Sequence, residues 1–395
     1  MKCHLCLKDT AVEFLHLGNQ PLANKYPKTK EEFKTEDFFP LAVFFCTNCK
    51  NVQLGTIVSR ERMFEDYYYL SSVNPGLVRH FEELAKKLKD AKFVVDIGSN
   101  DGILLKPLKE LGVKAIGVDP SINVSKIAND AGLTTVVSFF DSAAVEKIIK
   151  DYGKPDVVIA SSIFTHLENP HAFIDDVKNL MTNEGEFIIE VEYIGNILAS
   201  IQFERFYLDR IFYYSLTSLK HLFESHGMSV VDVEHIEPHG GSIRVVAKKK
   251  GSKVSASESV QNFIQEEEKT LNLAKLQEFK KEVQTHTSAL RNKLEEYKQS
   301  NLKIAGYGAP ARVATICNYG KIDQSLIDFV VDDSPLKQNR FSPGTHIPIV
   351  AKSHLDLRKP DVLVVFAYEY FDDIKKKTAD GGYRYLIPIP PREVV

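Results

Sequence analysis

Residues 93–102 read FVVDIGSNDG, an apolar run of strand length that stops at a glycine-rich turn. A short apolar run bounded by turn residues is the pattern of a fully buried strand. The next stretch, ILLKPLKELG (103–112), spaces its apolar residues as an amphipathic helix does and ends at Gly112. KAIGVDP (114–120) then supplies a second strand that ends at Asp119. This is one β-α-β unit with an acid at the end of its second strand. A carboxylate in that place can accept hydrogen bonds from ribose hydroxyls.

The turn itself selects the nucleotide. A dinucleotide site wants G-x-G-x-x-G, so that backbone can approach a pyrophosphate. Here Gly98-Ser99-Asn100-Asp101-Gly102 lacks the middle glycine, and Asp101 stands where phosphate would lie. That disfavours NAD and suits S-adenosylmethionine, which has no phosphate and carries a positive sulfonium and amino group. The form Asp96-x-Gly-x-x-x-Gly resembles motif I of class I methyltransferases. The candidate cofactor residues are Asp96, Gly98, Asn100, Gly102, Asp119 and Ser161. PDVVIASSIFTHLENP (155–170) follows as a buried strand, a loop holding His166 and a helix, and GEFIIEVEY (185–193) gives another strand. This alternation predicts a doubly wound α/β sheet, with the ligand outside the strand carboxyl ends.

The bulk properties bound the rest. A chain of 395 residues is too long for one core and predicts two or three domains. A net charge of -3 argues against a binder driven by nucleic-acid phosphates. No apolar run approaches the ~20 residues of a membrane span, and MKCHLCLKD at the start has no apolar signal region behind it. The expectation is a cytoplasmic protein with no membrane partner. In that reducing compartment paired cysteines more often hold metal than form disulfides. Cys3-x-x-Cys6 and Cys46-x-x-Cys49, with 39 residues between the pairs, give two tight turns of two thiolates each. That is the sulfur set of a closed, structural zinc site. Cys317 reads as a small buried apolar residue.

Further along, GSKVSASES (251–259) reads as a joint, and the proline-free stretch from 260 to 300 as one or two long helices. LKIAGYGAPARVATICNYG (302–320), IDFVVDDSP (327–335) and DVLVVFAYEY (361–370) then predict a second, smaller Rossmann-like α/β domain. Its Gly306 and Gly308 could cradle an anion through backbone N–H groups. The expected division is 1–75 for the zinc-binding module and a Tyr-rich linker, and 76–250 for the cofactor domain. Residues 251–300 form a helical linker and 301–395 the C-terminal domain.

The order of these parts, with HGGSIRV (239–245), GYGAPARVATICNYG (306–320) and KQNRFSPGTHIPI (337–349), resembles the three-domain sugar C-methyltransferases. That family acts on TDP-linked 4-keto-deoxysugars. MFEDYYYLSS (63–72) is similar to its Tyr-rich linker, which implies substrate contacts for Tyr67 and Tyr69. The resemblance implies a base that takes a proton from the carbon beside a ketone, and an enolate that attacks the methyl of S-adenosylmethionine. The family's base is a histidine in a Tyr-x-Glu-His stretch. In FYLDRIFYYS (206–215), Tyr207 falls on the family's Tyr, Asp209 on its Glu and Arg210 on its catalytic His. Arginine holds its proton at any physiological pH and cannot be a general base.

Three readings of Arg210 follow. It stabilises an enolate oxygen while His166 or a tyrosinate is the base. It forks onto a carboxylate or phosphate of a different acceptor, with the methyl going to oxygen or nitrogen. Or it only pairs with Asp209 or a neighbouring acid. His166 matches the family's other active-site histidine, and His239 is a second fallback base. Lys337 and Arg340 could meet a substrate phosphate. Phe212 and one of Tyr213 or Tyr214 are expected in the core, and Tyr207 in the site. The expected partner is a small nucleotide-linked sugar, and the expected state a monomer.

Overall fold

A computed structural model describes residues 1–59, 70–252 and 254–394. Tyr67 and Tyr69 therefore lie outside the described residues. The chain starts as an antiparallel meander of β1 (Ala11–Pro21), β2 (Phe38–Cys46) and β3 (Val52–Leu54). The next strands are β4 (Phe93–Ile97), β5 (Lys114–Asp119), β6 (Thr135–Val137), β7 (Val157–Ser161) and β8 (Glu186–Glu192). A two-residue strand, β9 (Phe212–Tyr213), returns to pair with β3. Then β10 (Met228–Ile236) and β11 (Ser242–Lys249) complete a seven-stranded sheet of order β10-β11-β8-β7-β4-β5-β6.

β4 to β8 run parallel, and β11 is antiparallel to both its neighbours. Buried FVVDI and VVIAS suit such a sheet, because helices cover both faces and near-continuous apolar strands result. The chain runs from β4 out to β5 and β6, then crosses back to β7 on the other side of β4. The carboxyl ends of β4 and β7 therefore flank a topological switch point, where such sheets open a ligand crevice. This is the class I methyltransferase arrangement expected from the sequence.

The C-terminal part repeats the plan. Its strands are β12 (Ile304–Tyr307), β13 (Val330–Val331), β14 (Arg340–Phe341), β15 (Pro348–Val350), β16 (Val362–Val365), β17 (Arg384–Pro388) and β18 (Pro391–Val394). The order is β14-β15-β13-β12-β16-β17-β18, with five parallel inner strands and an antiparallel strand at each edge. Two helices, Glu258–Thr270 and Leu273–Gln299, precede it. The second buries Leu276, Phe279, Val283, Leu290, Leu294 and Tyr297, one stripe at helical spacing. Among the described residues no helix is long and apolar enough to cross a membrane.

That stripe binds the parts into one body. A single apolar cluster takes in Phe14 from the meander, Phe206 from the cofactor domain, Phe279 from the long helix and Ile304 and Val313 beyond it. The rings of Phe14, Phe206 and Phe279 meet pairwise with centroids 6.3–6.5 Å apart. Aromatic triads of this kind add edge-to-face attraction to a large buried area. Residues 206–215 carry the seam. Phe206 oxygen accepts from Thr315 Oγ1 at 3.0 Å, and Phe212 and Tyr213 pair with Gln53 and Val52. Ile211 N–H donates to Thr165 oxygen at 2.9 Å, and Tyr214 oxygen accepts from Ile194 N–H at 3.1 Å. Phe206, Phe212, Tyr213 and Tyr214 are all fully buried. Both tyrosines, not one, thus belong to the core.

Phe206→Ala should lower stability by about 3–5 kcal/mol, the usual loss for a buried phenylalanine, read as a shift in the urea midpoint. An unchanged midpoint would contradict the role given to the ring triad.

Candidate active site

The four knuckle cysteines come together. Their sulfurs all lie within 4.8 Å of one another, with Cys3–Cys49 and Cys6–Cys46 each at 3.6 Å. A tetrahedral zinc with bonds of about 2.3 Å places its sulfurs about 3.8 Å apart. Each knuckle closes in the same way. Leu7 and Lys50, one residue past the second cysteine, have φ of 60° and 61° and donate N–H to the carbonyls of Cys3 and Cys46. Contact with Cys46 helps raise the Cys3 thiol to about 11, while contact with Cys3 favours the Cys46 thiolate. Four thiols this close cannot all ionise without a cation, and zinc is the cation they fit.

At the switch point the turn after β4 is strained in the way its sequence requires. Gly98 has φ of +77°, and a Cβ there would sit 2.5 Å from Ile163 Cγ2. Asn100 also has positive φ, and its N–H donates to Asp119 Oδ2 at 2.9 Å. Asp119 Oδ1 accepts from Ser121 N–H at 2.8 Å, so the carboxylate is fixed at the end of β5. Asp96 is buried at the end of β4; burial, then the charges of Asp119 and Glu190, push its carboxyl well above the ordinary range. Ser99 Oγ, Asp101 Oδ1 and Ser161 Oγ are buried without a hydrogen-bond partner among the described residues. Orphaned polar atoms clustered at a strand-end crevice fit a polar ligand there. Asp101 Oδ2 accepts from the Ser72 N–H at 3.2 Å and from the Ser72 hydroxyl.

His166 closes a short 3₁₀ turn after β7. Its Nδ1 hydrogen-bonds the backbone oxygen of Asp209. A carbonyl only accepts, so Nδ1 carries a proton, and in the neutral ring the lone pair sits at Nε2. The Asp209 side chain turns the other way, and its Oδ2 accepts from Asn24 Nδ2 at 2.6 Å. Arg210 does not pair with it. Its Nη1 binds Glu192 Oε2 instead, at the carboxyl end of β8, and its guanidinium lies 4.9 Å from the centre of the part-exposed Tyr207 ring.

Glu192 is the head of an ion-pair strip. Its Oε1 lies 3.2 Å from Arg205 Nη1, Arg205 Nη2 reaches Glu369 Oε1, and Glu369 Oε2 is 2.8 Å from Arg312 Nη2. Cations and anions thus alternate from Arg210 to Arg312, across the contact between the cofactor domain and the C-terminal domain. Beside the strip, Tyr368 donates its hydroxyl to buried Glu204 and sets its ring 4.6 Å from Arg312. The HGGS turn packs on it: a Cβ at Gly240 would meet Arg205 Nη2 at 2.1 Å and Glu369 Oε1 at 2.5 Å. Two glycines in a row let backbone pass that close. Of His239 only the backbone is described, in the turn Pro238–Gly240.

Of these residues the sequence reading missed Glu192, Arg205, Glu369 and Arg312. EVEY (190–193) held a signal, since two acids at i and i+2 of a buried strand need cations on one face. Glu190 finds His80 and Arg244 in the same way. Lys337 and Arg340 lie apart from the strip, against the meander. Lys337 Nζ donates to Ala309 oxygen at 2.9 Å and lies over the Tyr26 ring, and Arg340 Nη1 donates to Tyr26 oxygen. The N–H groups of Gly308 and Ala309 are already bonded to Val331 oxygen and Asp332 Oδ2. The anion cradle read from Gly306 and Gly308 is therefore not open at those two groups.

Three family models lie end to end along the chain. "Putative zinc binding domain" matches residues 3–64, "Methyltransferase domain" 68–233 and "C-methyltransferase C-terminal domain" 237–390. The chain belongs to the three-domain C-methyltransferases. C-methyltransferase NovU of Streptomyces niveus is 29% identical over 406 residues, covering 100% of this chain and 96% of that protein. The ubiquinone biosynthesis O-methyltransferase of Glaesserella parasuis serovar 5 (strain SH0165) is 25% identical over 130 residues; the match takes 31% of this chain and 55% of that protein, about half its length. Magnesium protoporphyrin IX methyltransferase of Synechocystis PCC 6803, solved with bound SAM, overlays 48% of this chain and 89% of its own at 15% identity and a TM-score of 0.34. The enzyme is an S-adenosylmethionine-dependent methyltransferase with a zinc module.

Metal analysis of the enzyme should find a single zinc ion per chain, matching the one four-cysteine cluster. Cys46→Ser or a chelator should remove it and unfold the N-terminal module, because metal binding and folding are coupled; full stability in the metal-free enzyme would contradict this. Glu369 gives a second test. Burial alone would raise its carboxyl, but Arg312 and Arg205 outweigh burial and hold it down at about 2, against an ordinary 4.5. The pairing therefore stabilises the fold fully above pH 4.5 and is lost as pH falls through about 2. Glu369→Gln should remove that part of the acid-induced loss. Identical stability-against-pH slopes in the two proteins would refute it.

Proposed function

We propose that the enzyme transfers a methyl group to a carbon beside the ketone of a nucleotide-linked deoxysugar, TDP being the first nucleotide to test. Full-length likeness to a C-methyltransferase supports carbon as the accepting atom. The observation that carries the reading is the contact of His166 Nδ1 with the Asp209 carbonyl. It aligns a base-competent ring with the segment that holds Arg210 in place of the family's histidine.

In this reading the turn Gly98, Asn100 and Gly102 shapes the cofactor pocket, with Asp96 and Ser161 at its strand ends, and Asp119 takes the ribose hydroxyls. S-adenosylmethionine, when bound, supplies an electrophilic methyl group. His166 Nε2 takes the proton from the acceptor carbon, and the electron pair left behind delocalises onto the ketone oxygen as an enolate. Tyr207 borders the acceptor. A tyrosinate is a poor choice of base, since burial pushes the Tyr207 hydroxyl up, further from ionisation. Arg210 keeps its proton throughout: burial lowers its value, but Glu192, Tyr207 and Tyr213 together outweigh burial and raise it further.

The test is incubation in deuterated water with S-adenosylmethionine and TDP-4-keto-deoxysugars. Deuterium should wash in beside the ketone and the methyl should appear on carbon. His166→Ala should abolish both while cofactor binding persists. Wash-in at full rate without His166, or a methyl on oxygen or nitrogen, would overturn the proposal.

A further inference from the structure

The strip from Arg210 to Arg312 has an odd count. Three guanidinium groups, Arg210, Arg205 and Arg312, face two paired carboxylates, Glu192 and Glu369, among the described residues. Two more acids lie beside it, but each accepts from a neutral donor and makes no ion pair among the described residues. Glu204 takes the Tyr368 hydroxyl and Asp209 takes Asn24 Nδ2. Burial, the largest influence on each, pushes both carboxyls up, toward the neutral form. The cations at the two ends are also the ones with unspent donors. Among the described residues, Arg210 Nε is buried with no hydrogen-bond partner, and so are Nε and Nη1 of Arg312, whose side chain is only 8% exposed. A buried cation with donors left over is costly unless an anion completes it.

In the reading above, the Arg210 end lies at the acceptor. Glu192 holds one side of its guanidinium and the Tyr207 ring covers a face. The residue before it, Asp209, holds His166. A transient enolate would balance the excess charge only during the reaction. An anionic group built into the acceptor balances it whenever the acceptor is bound.

We propose that Arg210 is a specificity residue that receives a carboxylate carried by the sugar portion of the acceptor, so that the enzyme prefers an acidic sugar to a neutral one. This rests on the nucleotide-sugar reading above. Lysine cannot replace the planar fork fully, because its ammonium is a point charge. Glutamine removes the charge altogether.

The test is calorimetric binding of a matched pair, TDP-glucuronate and TDP-glucose, which differ by a carboxylate against a hydroxymethyl group, with TDP alone as the control. The enzyme should hold the glucuronate compound at least about tenfold more tightly, as expected for one charge-assisted contact. Arg210→Gln should erase that ratio, Arg210→Lys should restore part of it, and TDP and S-adenosylmethionine should bind all three proteins alike, which shows that they are folded. Equal affinity for the pair in the unmodified enzyme overturns the inference and leaves the nucleotide-sugar reading standing. Loss of TDP affinity in Arg210→Gln also overturns it, by moving the anion from the sugar to the diphosphate. If TDP does not bind the unmodified enzyme, the nucleotide reading fails on its own. The same comparison is then made with free glucuronate and glucose by NMR titration, where selective binding of glucuronate that depends on Arg210 upholds the carboxylate site and its absence overturns it.

Discussion

The main-chain hydrogen bonds of residues 206–215 are the constraint on which the rest depends. Within ten residues this segment bonds to the meander through β9, to the His166 loop through Ile211, to the end of β8 through Tyr214 and to the C-terminal domain through Phe206. Backbone bonds do not depend on which side chain is present. The segment therefore keeps its path with arginine at 210, and the Asp209 carbonyl stays on His166. Tyr213 reinforces the bend: its hydroxyl accepts from Tyr207 N–H and donates to Arg205 oxygen, both at 3.0 Å. A substitution at position 210 thus changes the charge carried by the segment without removing these backbone bonds.

A permanent charge at 210 has to be accommodated in a largely buried place, and Glu192 does this. One carboxylate serves two guanidinium groups, one oxygen each, and both of its arginines come from the same stretch of chain, 205 and 210. The strip continues through Glu369 into the C-terminal domain, so the electrostatics at Arg210 and the docking of that domain are one network. In such a network the effects of single substitutions do not add. The zinc module takes part through packing rather than charge. Phe14 supplies one ring of the aromatic triad, and Asn24 supplies the donor for Asp209.

Much of this was legible before any coordinates. FVVDIGSNDG placed the switch point, since only glycine tolerates positive φ against Ile163 at position 98. The two CxxC pairs announced their own cluster because each is a local turn. His166 and Arg210 were singled out by resemblance to a family motif, and the Asp209 carbonyl links their two segments. What could not be read was the ion pairing between residues far apart in sequence. Glu192 and Glu369 are 177 positions apart and share Arg205, and no periodicity records such a meeting. The long helix Leu273–Gln299 read as a linker because its charged face dominates its composition. Its apolar stripe instead joins the cores of the flanking parts. Tyr213 and Tyr214 looked alike in sequence to the part-exposed Tyr207, and only their strand and bridge pairings with Val52 and Tyr193 put them inside.

The central claim is that His166 presents an unprotonated Nε2 because the Asp209 carbonyl holds its Nδ1 proton. The direct measurement is the ¹⁵N NMR signature of His166, assigned by His166→Gln, in the enzyme with S-adenosylhomocysteine bound at a pH where the ring is neutral. Nδ1 should be protonated, with Nε2 in the pyridine-like range. A spectrum in which Nε2 carries the proton would contradict it, and the base would then have to be sought elsewhere.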